Sequence, residues 1–259
     1  MPKSFFKQKL AIFFGYNGRS FHGLQIQKTE ERTVERALEI ALLDLGFISA
    51  TYGDEDKSKG LWTRASRTDK GVHAAANAIG CALNISTEWL DGWDEAGGKA
   101  EMKTFMNRSR IIESINSKLE EDIRCFAIKN CTKKFDIKSN VRSRVYEYII
   151  PIRMFYPYAI NAEKSTENMT EAQNTEIFLK LQKILKKFEG THNFHNYTIE
   201  KKVGDKSCNR YILSMGLERI SHEHIVKTLG AEPKDEYFKV TLHGQSFVYH
   251  QIRKMIGMC

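Results

Sequence analysis

Residues 64–75, Arg64-Ala65-Ser66-Arg67-Thr68-Asp69-Lys70-Gly71-Val72-His73-Ala74-Ala75, lie just ahead of an apolar run and decide how the chain is read. One carboxylate, Asp69, stands between Arg67 and Lys70, and Gly71 follows. A buried strand has no room for so many charges, and Gly71 would interrupt a helix. The stretch is expected to be a polar loop that holds Asp69 among cations. Cationic neighbours favour the ionised form of a carboxylate. An ionised carboxylate serves as a nucleophile or charge stabiliser and not as a general acid. On these residues alone, a solvated charged loop explains the pattern better than a site does.

Outward from that loop, hydrophobic spacing predicts the elements. Residues 9–16 (KLAIFFGY) read as a buried strand ended by the turn pair Asn17-Gly18, and Ala78 to Ile85 as another. Thr33 is placed as an N-cap, because Val34, Ala37, Leu38, Ala41 and Leu42 follow at helical spacing. Ile111, Ile112, Ile115 and Leu119 mark a second helix, with a strand from Ile123 to Lys129. Residues 144–150 (RVYEYII) alternate into a strand stopped by Pro151. A further helix carries Ile177, Phe178, Leu181, Ile184, Leu185 and Phe188 on one face. Strands are expected at 209–220 and 237–243, and polar loops or a surface insertion at 51–60, 92–103 and 161–171.

Ser246, Phe247, Tyr249, Ile252, Met255 and Ile256 predict a last helix, which stops at Gly257-Met258-Cys259 without a cap. The expectation there is a truncated C-terminal end. The order of elements implies an α+β fold of two α/β halves, 1–135 with the Asp69 loop and 136–259, sharing a mixed, largely antiparallel sheet. A Gly-rich phosphate loop between strand and helix does not occur, which argues against Rossmann and P-loop enzymes.

Composition narrows the classes further. The 259 residues carry a formal net charge of +8, which suits a polyanionic partner as well as it suits a lysine-rich background. No apolar run approaches the roughly 18–20 residues of a membrane span, so no membrane partner is expected. Residues 1–7 (MPKSFFK) lack the apolar stretch of a secretory signal. Cys81, Cys125, Cys131, Cys208 and Cys259 form no C-x-x-C pair, which favours reduced thiols and an intracellular place.

The loop takes on a different meaning beside four other segments. Arg67-Thr68-Asp69-Lys70-Gly71-Val72 resembles motif I (R-T-D-K-G-V) of the TruA family of tRNA pseudouridine synthases. Tyr16-Asn17-Gly18 with Phe21-His22-Gly23-Leu24-Gln25 resembles that family's N-terminal Y-x-G…F-x-G element. Ile115-Asn116-Ser117-Lys118-Leu119 with Asp122-Ile123, Arg144-Val145-Tyr146-Glu147-Tyr148 and Phe247 to Met255 resemble its later motifs, in its order. Residues 188–198 and 250–255 are most similar to the eukaryotic multisite branch. Leu24, where Trp or Met is usual, and Glu120, where Pro is usual, depart from the pattern. His73 is nearer the bacterial form of motif I.

The resemblance implies a pseudouridine synthase fold with a central active-site cleft, and an enzyme that isomerises uridines of tRNA, with other structured RNAs as further partners. It implies no metal, nucleotide or other cofactor. Asp69 would be the catalytic carboxylate, Arg253 its ion-pair partner, and Tyr146 the ring that stacks on the flipped uracil. Arg67 would refill the RNA stack, where flipping costs a few kcal/mol. Lys70, His73, Arg144 and His250 would contact RNA. If the chain is eukaryotic, a nuclear place is preferred over mitochondrion or cytoplasm. Without the motifs, Tyr146 is an ordinary core tyrosine and Arg253 a solvated helix residue. His192 and His195 lack a third metal ligand in reach. His222 and His224 are expected on a strand edge, and Lys133, Lys134, Lys138, Arg142, Lys201 and Lys202 offer phosphate contacts. A catalytically inactive RNA-binding protein of the same fold is the alternative, and a basic ribosomal or scaffold protein would explain the charge alone.

Overall fold

Strand β1, Phe5–Tyr16, alternates Leu10, Ile12, Phe14 and Tyr16 onto one buried face, as the period of a pleated strand requires. The computed structural model describes residues 5–27, 31–49, 62–91, 106–155, 170–220 and 236–259. The expected loops at 51–60 and 92–103, residues 161–169 of the third polar stretch, and His222 and His224 lie outside the described residues. The chain divides into two compact units, Met1–Val141 and Arg142–Cys259.

In the first unit, β1 pairs antiparallel with β3, Ala74–Ser86, and with β4, Ile123–Asn130. A short edge strand, β2 (Trp62–Arg64), completes the sheet in the order β2-β3-β1-β4. β1 starts at Phe5, ahead of the expected Lys9, because its ladder continues to Phe5↔Ser86. Helices α1, Val34–Asp44, and α2, Arg108–Lys118, cover one face, and Val34, Leu38, Leu42, Ile111 and Ile115 join the strand core. Thr33 caps α1 as predicted, its side chain accepting from the amide of Arg36. On the other face Ala11 and Ala78 pack with Ile137 of the short helix α3, Ile137–Asn140.

The second unit repeats the plan with different connections. Strands β5 (Arg144–Pro151), β6 (Gly190–Asn193), β7 (Asn209–Ile220) and β8 (Tyr237–Gly244) form an antiparallel sheet ordered β5-β8-β7-β6. Helix α4, Glu171–Lys186, starts at a capping box of Thr170 and Gln173 and sets Leu181 and Leu185 in the core with Val240, Leu242 and Met215. Every strand pairing among the described residues is antiparallel, in keeping with the α+β class expected.

Two expectations are corrected. The predicted loop 64–75 is trimmed at both ends, since Arg64 closes β2 and Ala74 opens β3. The last helix, α5, spans Gln251–Gly257 and does not include residues 246–250. His250 has φ of 60°, in the left-handed region, so the right-handed helix starts only after it.

Candidate active site

The Asp69 loop, residues 65–73, has no regular structure, and its shape is imposed from elsewhere in the chain. Gly71 has φ of 76°, and the amide of Val72 donates to the carbonyl of Asp69 at 3.1 Å. This is a four-residue turn whose third position asks for glycine. Asp69, half-buried, opens that turn.

The N-terminal element grips the turn from the outside. The amide of Leu24 donates to the carbonyl of Thr68 at 3.2 Å, and the amide of Gly71 donates to the carbonyl of Phe21 at 3.1 Å. Two glycines allow the approach. A Cβ on Gly18 would lie 2.0 Å from the carbonyl oxygen of Val72, and one on Gly23 would lie 2.7 Å from that of Thr68. Gly23 also has φ of 94°. Beneath them, Phe21 is buried, and the Arg32 guanidinium stands 4.7 Å from its ring centre.

A buried carboxylate anchors the start of the loop. Glu35, in the first turn of α1, is 1% exposed and takes two bonds from the Arg64 guanidinium, at 2.5 and 3.0 Å. Its second oxygen also accepts from the amide of Ile26 at 3.1 Å. One acid thus joins α1, the N-terminal element and the residue that leads into the loop.

In the second unit, Arg144 and Tyr146 project from the same face of β5. Tyr146 meets the ring of Phe247 edge-on, with centres 5.2 Å apart at 84°. Gly244 makes room for that ring, since a Cβ there would come within 2.8 Å of it. The Arg144 guanidinium donates to the carbonyl of Gln245 at 2.8 Å. Gln251, buried, accepts from the amide of Val248 at 2.8 Å and so caps the turn that leads into α5. His250 stacks on Tyr249 with ring centres 3.7 Å apart, and Arg253 lies in the first turn of the helix, two residues after Gln251. Lys254 reaches back to the carbonyl of Thr198, which ties α5 to the 188–198 segment.

A family profile described as tRNA pseudouridine synthase matches residues 184–259, the stretch that holds β6, β7, β8 and α5. The mouse "Pseudouridylate synthase 1 homolog" is 31% identical over 259 residues, which cover 99% of this chain and 53% of the mouse protein. Its human counterpart is 32% identical, over 96% of this chain and 50% of its own length. Across nearly its whole length the chain is similar to pseudouridine synthases. A Yarrowia lipolytica protein, "tRNA pseudouridine synthase 1", is 28% identical across 97% of this chain and 56% of the yeast sequence. These relatives are eukaryotic, in line with the branch that residues 188–198 and 250–255 resemble. The chain spans about half the length of the curated relatives it matches.

The candidate site residues fall into two groups. Arg67, Asp69, Lys70 and His73 share the loop of the first unit, with Arg67, Lys70 and His73 at its surface. Arg144, Tyr146, His250 and Arg253 belong to the second unit, on β5 and at the head of α5. Among the described residues no cluster of three or more His, Cys, Asp or Glu side chains could hold a metal ion. His192 and His195 have local partners instead: the carbonyl of Glu189 at 2.8 Å and Oδ1 of Asn193 at 3.0 Å. Glu189 itself is drawn below the usual carboxylate range by Lys186 and by the amide of Met215.

Sequence reasoning missed Glu35, Gly244, Gln251 and the buried Asn77 as supports of these two segments. Glu35 read as an ordinary first-turn acid, favourable at any helix start. Asn77, beside the apolar run Ala78 to Ile85, is one of several buried polar side chains, and a buried amide calls for a bonding role.

Proposed function

We propose that the protein isomerises specific uridines of tRNA to pseudouridine, with other structured RNAs as further substrates. The observation that carries this reading is the Asp69 turn, clamped by Tyr16, Gly18, Phe21 and Gly23 of a distant segment. A charged loop with no task would not need two close glycine approaches and a buried acid to hold one carboxylate at its apex. Likeness to relatives named as pseudouridine synthases adds to it.

The reaction breaks the bond between ribose C1′ and uracil N1, turns the base, and forms a bond from C1′ to C5. The proton displaced from C5 is balanced by one gained at N1. Nothing is oxidised and no group is lost, so no cofactor is required by this chemistry. Asp69 is assigned as the catalytic carboxylate. By the family resemblance, Arg253 is its ion-pair partner, Tyr146 stacks on the displaced uracil, and Arg67 fills the place of the flipped base. Lys70, His73, Arg144 and His250 contribute to RNA contact, with exposed Lys133, Lys134, Lys201 and Lys202 supplying phosphate contacts. An intracellular place belongs to the same reading, supported by five free thiols, with the nucleus preferred because the relatives are eukaryotic.

The test is to map pseudouridine in a bulk tRNA pool incubated with the protein or with Asp69→Ala. The wild type is expected to modify defined positions, and the variant to bind tRNA but form none. Full activity in the variant would remove Asp69 from the mechanism. Wild-type binding without modification would favour an inactive RNA-binding protein. Binding is also expected to weaken steeply as salt rises, because several phosphate contacts release counterions.

A further inference from the structure

We infer that the Tyr16 hydroxyl, acting through Thr68 and steadied by Asn77, is a positioning group for the Asp69 carboxylate; the inference rests on the isomerase reading above. Tyr16 ends β1 and is 6% exposed, with its ring stacked against Phe14 at 5.9 Å. Its hydroxyl lies 2.7 Å from Oγ1 of Thr68, the residue before Asp69. The two residues are 52 positions apart in the chain.

This bond belongs to a small buried network. Asn77 is buried, and its Oδ1 accepts from the amide of Ala78 at 2.8 Å. Its Nδ2 is thereby turned toward the carbonyl of Ser66 at 3.3 Å and toward the Tyr16 oxygen at 3.5 Å. The phenol oxygen thus accepts from the amide while it shares a bond with the Thr68 hydroxyl, in which either oxygen can donate. Asn77 and Tyr16 together hold the loop at Ser66 and at Thr68, immediately ahead of the acid.

Backbone bonds alone would leave one freedom. Leu24 holds the Thr68 carbonyl, and the bonds to Phe21 and within the turn hold Gly71 and Val72. These contacts fix the path of the main chain, yet the segment can still rock about the line that joins them. The Thr68 side chain is anchored off that line, so its bond to Tyr16 sets the tilt of the residue that follows. Small misplacements of a reacting group cost rate steeply. A phenylalanine would fill the core equally well at position 16. The hydroxyl is therefore explained by what it bonds, since burying it without a partner is unfavourable.

Tyr16→Phe and Thr68→Val each remove one side of the bond and keep the shape. Each is expected to lower kcat for pseudouridine formation about tenfold. KM for tRNA should stay within about twofold, and Tm should fall by no more than about 4 °C. Thr68→Ser, which restores a hydroxyl, should recover most of the lost rate. The double variant should match either single one, because both break the same contact. If Tyr16→Phe and Thr68→Val keep the full rate while Asp69→Ala is inactive, the inference is overturned and the isomerase reading stands. Loss confined to Tm or to KM, or additive losses in the double variant, would overturn it equally. If the wild type forms no pseudouridine, the functional reading falls first and the inference with it.

Discussion

The Asp69 loop of the first unit and the turn before α5 in the second are both irregular segments that present candidate site residues, but they are braced differently. The loop is held by contacts from far along the chain: Gly18 against Val72, Tyr16 against Thr68, and Glu35 against Arg64. The turn has more bracing from its own neighbours, with Gln251 bonded to Val248, Gly244 beneath Phe247, and His250 in a left-handed conformation, beside contacts from Arg144 and Tyr146 of β5 to Gln245 and Phe247. A locally braced turn keeps its shape whenever its strand and helix are in place. A loop clamped at long range keeps its shape only while the whole first unit is packed. Substitutions that disrupt the packing of the clamp, at Gly18 or Glu35, are therefore expected to damage stability and activity together, and substitutions in the turn to act more mildly.

The largest effect is expected at the buried ion pair. Glu35→Ala leaves the largely buried Arg64 without its acid and strips the amide of Ile26 of its acceptor. Breaking such a pair costs about 3–5 kcal/mol, measurable as a loss of thermal or denaturant stability with collapse of activity. Gly18→Ala comes next, since its Cβ would stand 2.0 Å from a backbone oxygen that cannot swing away as a side chain could. A cost of about 3 kcal/mol is expected from that overlap. The displaced Asp69 turn should lower kcat about a hundredfold or more.

On the other side of the comparison, Gly244→Ala pushes against the Phe247 ring and loosens its contact with Tyr146. A loss of about 1–2 kcal/mol is expected in unfolding experiments, with a modest fall in rate. At His250, a β-branched residue is a poor fit to φ of 60°, so His250→Val should cost about 1 kcal/mol, whereas His250→Gly should be close to neutral in Tm. Equal penalties at Gly18 and Gly244 would break the contrast between the two segments.

The smallest effect concerns acid. Asp205 caps the turn before β7, and its carboxyl is lowered from 3.8 to about 2 by the side chain and amide of Ser207 and by Lys201. A folded-state pKa below the unfolded one gives stability that is complete above about pH 4 and fades as pH falls toward 2. Asp205→Asn should flatten that part of the stability profile, while leaving the region above pH 5 with the same slope.

Much of this architecture was legible in the sequence because its signals are local. The alternation of Leu10, Ile12 and Phe14, the Thr33 cap, and the spacing of Ile111 and Ile115 each express a geometric repeat within a few residues. Motif I marked Asp69 without any structure. Boundaries were less legible, because where a strand begins depends on its partner: β1 runs to Phe5 since β3 continues opposite it to Ser86. The misplaced start of α5 has the same origin, as apolar spacing at Ser246 to Tyr249 does not reveal that His250 adopts positive φ.

The amino-acid order was enough to specify most of the strands and helices and to single out Asp69 as the acid proposed to carry the chemistry, since both are written in neighbouring residues. It did not reveal that Tyr16, Asn77 and Glu35 hold that acid's loop. Their roles arise from the meeting of segments tens of residues apart, and only packing around a shared core creates the burial and the close approach that give a hydroxyl, an amide and a carboxylate those tasks.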